Sequence, residues 1–540
     1  MQEIELKFLV PEARLKSLMR QAQVKSSQVL QLAAHYFDTP DQQLAQAGIG
    51  LRIRKEGNAW VQTIKAGGDG IAARLEHNAV LNNEQVQAML DKHELMPDLT
   101  IYQGTPIAPA LAVFNLKKLA QQLNRQYVTD VRRTTRLLVE EDSEQGDNMI
   151  EMAYDYGEII HGNDDNHREA IQEIEFELIS GDLDFLFITA KSWCQRYKLC
   201  LSTVTKAERG GLLIQGQPHS PAVSANLSQL TVKKDGGSMP AFVRAAVHNC
   251  LLQILPNSSA IVADSTDDAH VLQLRIGIHR LLTTLKAFAS FSDEINPDWP
   301  LILKQTANLL ADYQEVAYLA SHIEPKLQEH GAPVVDWSTD MNTVKINPID
   351  AVRANDFQLT LLELIAFTMS DPNLEPKADK LARDKIVKVL SKQHKKMLKA
   401  IQNLDDINNA EPDSSDLEGH DLESHNLKSY DSYSNDKQQA QHKLRHQLKN
   451  SRYISEFATP LLRKKGAKKK NKRGLKRLIK AQKALGRYLD HNQYQQRYQQ
   501  KSTVDTNALY GAGWFAARLS DDYKRHHKRL ANVKDNDIFW

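Results

Sequence analysis

The opening residues already contain groups that could do chemistry. Glu3, Glu5 and Lys7 alternate with Ile4 and Leu6, and in a β-strand every second residue projects from the same face, about 6.6 Å along. The same alternation places Arg52 with Arg54, Arg74 with Glu76, and Glu173 with Glu175 and Glu177. Like charges along one strand face repel, and a glutamate cluster calls for a cation. A polyphosphate needs several Arg and Lys donors around its oxygens. It also needs a hard divalent cation, because Mg²⁺ binds through one or two carboxylates together with substrate phosphates. Carboxylates on a first and a late strand, with basic residues between them, supply both requirements. Such a cation would stabilise in-line displacement and lower the pKa of an attacking water. The residues do not choose between that route and a general base.

These side chains need a sheet to hold them. For any one strand, a polar face turned to water is the simpler account. Several strands repeating the pattern, with Ile, Leu and Phe opposite, fit a closed barrel with a polar lumen. Residues 1–215 supply the segments: EIELKFLV, GLRIRKE, AWVQTIKAG, TTRLLVEED and EIEFELISG alternate at the strand period. Gly67-Gly68 reads as a hairpin turn, and helices are expected near 11–22, 83–92 and 183–198. An α+β domain of this kind precedes a polar linker at 216–235, with Pro218 and Pro221. Residues 236–510 read at helical period, as in AHVLQLRIGIHRLLTTLKAF. Residues 511–540 read as a C-terminal tail.

Composition sets the outer bounds. The 540 residues are 41% hydrophobic and 25% charged, which excludes wholesale disorder and collagen-like repeats. The formal net charge of +2 hides a sorted distribution. Between 405 and 437 ten acidic residues face two lysines, so 403–440 reads as a disordered or solvated insertion. Residues 441–480 carry fifteen Lys and Arg and one acid, Glu456. Within them RKKGAKKKNKRG (463–474) reads as a basic loop between helices. It would line a polyphosphate groove, contact nucleic acid nonspecifically through phosphate charge, or balance the acidic insertion. Cys194, Cys200 and Cys250 lack metal spacing and read as buried thiols of a reducing compartment. No signal peptide is read in MQEIELKFLV, and no apolar run reaches the ~18 residues of a membrane span. The expected location is the cytoplasm.

The ordered motifs resemble a known family. Glu3-Ile4-Glu5-Leu6-Lys7 is similar to the ExExK motif of CYTH domains, the triphosphate tunnel metalloenzymes. The resemblance continues through Tyr36-Phe37-Asp38-Thr39-Pro40, Leu51-Arg52-Ile53-Arg54, Lys65, Arg74-Leu75-Glu76, and Asp130-Val131-Arg132-Arg133. It closes with Asp155-Tyr156-Gly157, Glu173-Ile174-Glu175-Phe176-Glu177 and Thr205-Lys206-Ala207-Glu208-Arg209-Gly210. It implies an eight-stranded antiparallel tunnel that hydrolyses or cyclises a triphosphate. By the same resemblance Glu3, Glu5, Glu173, Glu175 and Glu177 hold Mg²⁺ or Mn²⁺. Lys7, Arg52, Arg54, Lys65, Arg74, Arg133 and Lys206 grip phosphates, and Glu3, Glu5, Lys7 and Lys65 form the catalytic set. Glu76, Asp155 and Arg209 take supporting or structural roles.

In the helical half, His442, Arg445, Lys449 and Arg452 fall within one arc of roughly 80° on a helix. HKLRHQLKNSRY, with the later Leu485-Gly486 and Asp490, resembles the second half of a CHAD domain, which implies polyphosphate binding by those four residues. The corresponding first-half helix carries Leu272, Arg275, His279 and Leu282, so binding is expected mainly in the second half. His270, two residues early, reads as a local surface residue. The expected function is a metal-dependent inorganic triphosphatase with a polyphosphate-binding helical domain. A nucleoside or thiamine triphosphatase, an adenylate cyclase, and a non-catalytic polyphosphate binder remain as alternatives.

Overall fold

The structure is a computed structural model that describes residues 2–67, 71–140, 147–231, 237–409, 424–462 and 465–534. The N-terminal region contains β1 (Gln2–Leu9), α1 (Glu12–Ala22), β2 (Gln28–Asp38), β3 (Gly50–Glu56), β4 (Ala59–Gly67), β5 (Ala73–Leu81) and α2 (Asn83–Asp91). It continues with β6 (Asn124–Glu140), β7 (Asn148–His161), β8 (Asp164–Ser180), α3 (Leu183–Tyr197), β9 (Cys200–Leu201) and α4 (Lys206–Ile214). The sheet order is β5-β4-β3-β2-β6-β7-β8-β1, and antiparallel pairing of β1 with β5 closes it. This is the expected eight-stranded barrel, with β9 a short addition beside β1. The Gly67-Gly68 turn lies partly outside the described residues.

The barrel is polar inside, so its core sits outside the wall. Leu6 and Phe8 point away from Glu5 and Lys7 and pack with Ile174, Phe176 and Trp193. Two glycines allow close approaches that a side chain would block. A Cβ on Gly157 would lie 2.0 Å from the Asp130 carbonyl oxygen across the β6–β7 pair, and one on Gly210 would lie 2.2 Å from the Tyr127 ring. The second contact lets α4 lie directly against β6.

The helical half contains α5 (Met239–Val262), α6 (Asp268–Ala287), α7 (Trp299–Tyr318), α8 (Asn355–Met369), α9 (Ala382–Asn409), α10 (Ser424–Ala458), α11 (Lys465–Lys501) and α12 (Ala508–Lys534), with short helical turns between some of them. It shares one continuous core with the barrel's outer wall: Val247, Leu251, Leu361 and Ile365 join the cluster built on Phe8, Phe176 and Trp193. Cys194, Cys200 and Cys250 are free thiols buried in this core. Among the described residues, no helix is long and apolar enough to cross a membrane.

Several expectations for this half need correction. The acidic stretch 403–440 is helical at both ends, as α9 runs to Asn409 and α10 starts at Ser424; residues 410–423 lie outside the described residues. Buried Leu404 and Ala440 anchor those ends to a common core, which outweighs the polar composition around them. From Lys465 on, the basic run is the start of α11 rather than a loop. Lysine is a good helix former, and buried Asn471 ties this turn to the Ser455 carbonyl and the Thr459 hydroxyl. The tail is α12, whose Ala508, Gly511, Ala512, Phe515, His526, Leu530 and Val533 are buried at helical spacing. His270 is 3% exposed rather than on the surface, and both of its ring nitrogens are engaged.

Candidate active site

The barrel encloses a cavity of about 800 Å³. Its wall carries Glu3, Glu5, Lys7, Arg52, Arg54, Lys65, Arg74, Arg133, Glu175, Glu177 and Lys206, so every sequence-selected tunnel residue except Glu173 reaches it. The pleat explains this convergence. Pairing sets Glu3 opposite Arg74, Glu5 opposite Glu177 and Lys7 opposite Glu175, and each cross-strand pair shares a face.

The carboxylates form two groups. In the outer group Lys65 Nζ lies 2.7 Å from Glu3 and 3.1 Å from Glu76, while Arg74 donates to Glu5 at 2.9 Å. Glu177 stands opposite both Glu5 and Glu151. Burial pushes the Glu3 carboxyl up to about 8 against the pull of Lys65, and a hydrogen bond with Glu76 adds to the rise. Burial likewise lifts Glu177 to about 7, with Glu5, Glu151 and Glu76 repelling its charge. Glu76 is the exception: burial raises it, but the Glu3 hydrogen bond and Lys65 outweigh that and leave it at about 2.

The inner group is more evenly neutralised. Asp155, Glu173 and Glu175 have oxygens within 4.8 Å of one another, the one such cluster among the described residues. Arg133 grips Asp155 through two hydrogen bonds, at 2.7 and 2.6 Å, and reaches Glu175 at 2.7 Å. Lys206 Nζ lies 2.7, 2.5 and 2.9 Å from Asp155, Glu173 and Glu175. Burial opposes ionisation of Glu175, yet Lys206, Arg133 and Lys7 hold its pKa well below the usual carboxylate range. Lys206 and then Arg133 keep Asp155 low against burial.

The five glutamates expected to form one metal set therefore fall into two groups, Glu3, Glu5 and Glu177 in the outer and Glu173 and Glu175 in the inner. Glu173 pairs with Leu9, four residues along β8 from the Glu177–Glu5 pair, or about 13 Å at strand rise. It is 1% exposed and faces Lys206. The outer carboxylates fit a hard divalent cation: the donors are all oxygen, and the ion pairs found there are those of Lys65 with Glu3 and Glu76 and of Arg74 with Glu5. Asp155 lies in the inner cluster, with carboxylate oxygens within 4.8 Å of those of Glu173 and Glu175. Glu151 was missed, although it shares a strand face with Asp155 four residues on.

Basic residues line the rest of the cavity. Arg52 donates to the Tyr36 hydroxyl at 3.3 Å, and Arg54 pairs with Glu56. Tyr36 stacks on Tyr127 with ring centroids 4.7 Å apart, so these two aromatic faces occupy each other.

The order and geometry of these groups agree with the comparisons. The CYTH-domain family model matches residues 1–210, and the CHAD-domain model matches residues 245–499. The chain is a CYTH domain followed by a CHAD domain. An inorganic triphosphatase of Haemophilus influenzae is 31% identical over 219 residues, which are 39% of this chain and 55% of that protein. The chain thus spans about half the length of that curated relative. The solved CHAD domain of the plant Ricinus communis is 18% identical over 59% of this chain and 97% of its own, with a TM-score of 0.42. A putative adenylyl cyclase from Hippeastrum, reported to have a dominant triphosphatase activity, is 15% identical over 40% of this chain and 96% of its own, with a TM-score of 0.27.

In the CHAD domain the predicted helix face is divided. Arg445 and Lys449 line a cavity of about 710 Å³ together with Lys483, Arg487, Trp514 and Arg518. His442 lines a separate cleft of about 370 Å³, and Arg452 turns to Glu456 at 2.7 Å. Asp490 receives Arg445 at 2.9 Å, and that guanidinium lies beside Gly486 of α11. Among the described residues no hydrogen bond or ion pair takes up Lys449. Burial, then Arg445 and Arg275, lower its pKa to about 8. His279 falls to about 4 through burial and then Lys449 and Arg275. Arg275 and His279 of the first half therefore face the second-half cations.

Proposed function

We propose that the CYTH domain hydrolyses inorganic triphosphate to pyrophosphate and phosphate with Mg²⁺ or Mn²⁺, and that the CHAD domain binds polyphosphate. One observation carries the reading: a closed polar tunnel whose wall holds seven basic side chains and a cluster of carboxylates on the same inward face. A bound divalent cation supplies charge neutralisation on the phosphate oxygens and a more acidic attacking water. Glu3, Glu5 and Glu177, with Glu151, are the residues suited to hold it. Arg52, Arg54, Arg133 and Lys206 donate to the phosphate oxygens, and Lys7, Lys65 and Arg74 balance the carboxylates as the substrate enters. Preorganised donors of this kind are a main source of electrostatic catalysis.

The stacked Tyr36–Tyr127 pair supports an inorganic substrate over a nucleotide, because neither of those faces is open to a base. In the CHAD domain, an ammonium depressed to about 8 beside Arg445 and Arg275 is a site short of an anion, which supports polyphosphate there. A reducing cytoplasm agrees with three free buried thiols. The test is phosphate release from tripolyphosphate, ATP, thiamine triphosphate and long-chain polyphosphate with each metal, using Glu5→Gln as control. Turnover of tripolyphosphate first, abolished in the control, is expected. Preference for ATP, or a cyclic nucleotide product, would replace this reading with a nucleotide one.

A further inference from the structure

The tunnel wall includes a lip that the barrel does not hold alone. After β9 the chain runs through Ser202–Thr205 into α4, whose first residue is Lys206. One side of this segment belongs to the barrel, since the Ser202 amide donates to the Lys7 carbonyl at 2.9 Å. The other side belongs to the helical half. The Leu201 amide donates to Gln358 Oε1 at 2.8 Å, and the Thr203 amide donates to Ser259 Oγ at 3.0 Å. Gln358 on α8 and Ser259 on α5 are each 1% exposed. They are buried polar groups with defined partners, not surface contacts.

The far side of α4 is held in the same way. Ser220 and Pro221 line the tunnel cavity, and Ser220 Oγ donates to Glu208 on α4 at 2.5 Å. The Ser220 carbonyl lies 2.9 Å from His270 Nε2, which must therefore donate, leaving Nδ1 to accept from Ser265 Oγ at 2.8 Å. Three residues on, Asn257 meets Val223 in both directions, accepting from its amide at 3.1 Å and donating to its carbonyl at 2.8 Å. The segment read as a polar linker is at this point a docked strap, fixed by α5 and α6.

We propose that Ser259, Gln358 and His270 of the helical half are positioning residues for the tunnel, holding the α4 lip so that Lys206 meets the phosphate chain. The inference rests on the triphosphatase reading and deepens it: the helical half is a structural part of the triphosphate site. None of the three reaches the cavity, so each acts through backbone it fixes, and loss should appear in substrate affinity before the chemical step. Removing one such hydrogen bond corresponds to about a five- to tenfold change in an equilibrium constant.

The experiment compares the full chain with Ser259→Ala, His270→Ala and His270→Gln, whose amide can still donate to the Ser220 carbonyl. KM and kcat are measured for tripolyphosphate, and tripolyphosphate binding is measured separately by calorimetry. Both alanine variants should raise KM and the dissociation constant five- to tenfold with kcat within twofold, and His270→Gln should recover most of the loss. Unchanged KM and binding in both alanine variants would overturn the proposal, as would a fall in kcat with KM unchanged. Wild-type protein that binds tripolyphosphate without releasing phosphate would instead refute the triphosphatase reading, and the binding measurements would still decide the positioning role.

Discussion

Replacing Lys206 by methionine keeps most of the side-chain volume and removes one charge. In the native tunnel that ammonium lies 2.5–2.9 Å from three carboxylates, two of them 1% exposed at the side chain. Without it, Arg133 is the main remaining cation for Asp155 and Glu175, and Arg209 is 3.8 Å from Glu173. Breaking a buried charge network by removing one partner costs about 3–5 kcal/mol. The pH dependence follows from the direction of the shifts. Asp155 and Glu175 are held below their unfolded pKa values, so their pairing stabilises the fold above the ordinary carboxylate range and is lost as pH falls. In the variant the depression largely disappears, and the like charges can be relieved by protonation. Urea unfolding followed by tryptophan fluorescence should therefore show a cost of about 3–5 kcal/mol at pH 7.5 and less than half of that at pH 4.5. Lys206→Arg should retain much of the lost stability. A cost below about 1 kcal/mol at pH 7.5, or one equal at both pH values, would refute this account of the inner cluster.

Other outcomes follow from the same geometry. Glu177→Gln and Glu151→Gln should each reduce tripolyphosphate hydrolysis at least tenfold at fixed Mn²⁺, with partial recovery at higher metal, measured by phosphate release. Chelation should abolish turnover, and Mg²⁺ or Mn²⁺ should restore it. Arg445→Ala with Lys449→Ala should weaken polyphosphate binding at least tenfold by calorimetry. In wild-type protein that binding should decline as pH rises through about 8, where Lys449 loses its proton. Gly157→Ala should destabilise the barrel by about 1–3 kcal/mol in urea melts, because its Cβ would lie 2.0 Å from backbone that cannot swing aside.

Strand alternation made the inward face of the barrel readable, because a period of two assigns each residue to one side without knowledge of its neighbours. That is why Glu3, Glu5, Lys7, Arg52, Arg54 and Arg74 could be selected from alternation, while Lys65 and Arg133 came from the family resemblance; all of them reach the cavity. Composition was a poorer guide in the helical half. It suggested loops where Leu404, Ala440 and Asn471, each buried, tie polar or basic stretches into helices. Glu151 could have been found by extending the alternation back from Asp155.

The residue order along each strand, the sorting of charge and the two domain resemblances were determined by the sequence alone. Only the tertiary structure decided register and partnership. Register separated Glu173 from Glu5 by two same-face steps and gave it to Lys206, because strand pairing is set by contacts between distant segments. Packing turned His270 from an apparent surface residue into the clamp on Ser220, and made buried Gln358 and Ser259 hold the lip that carries Lys206. Each buried polar group required a partner, and the partner lay in a part of the chain that no local pattern could identify.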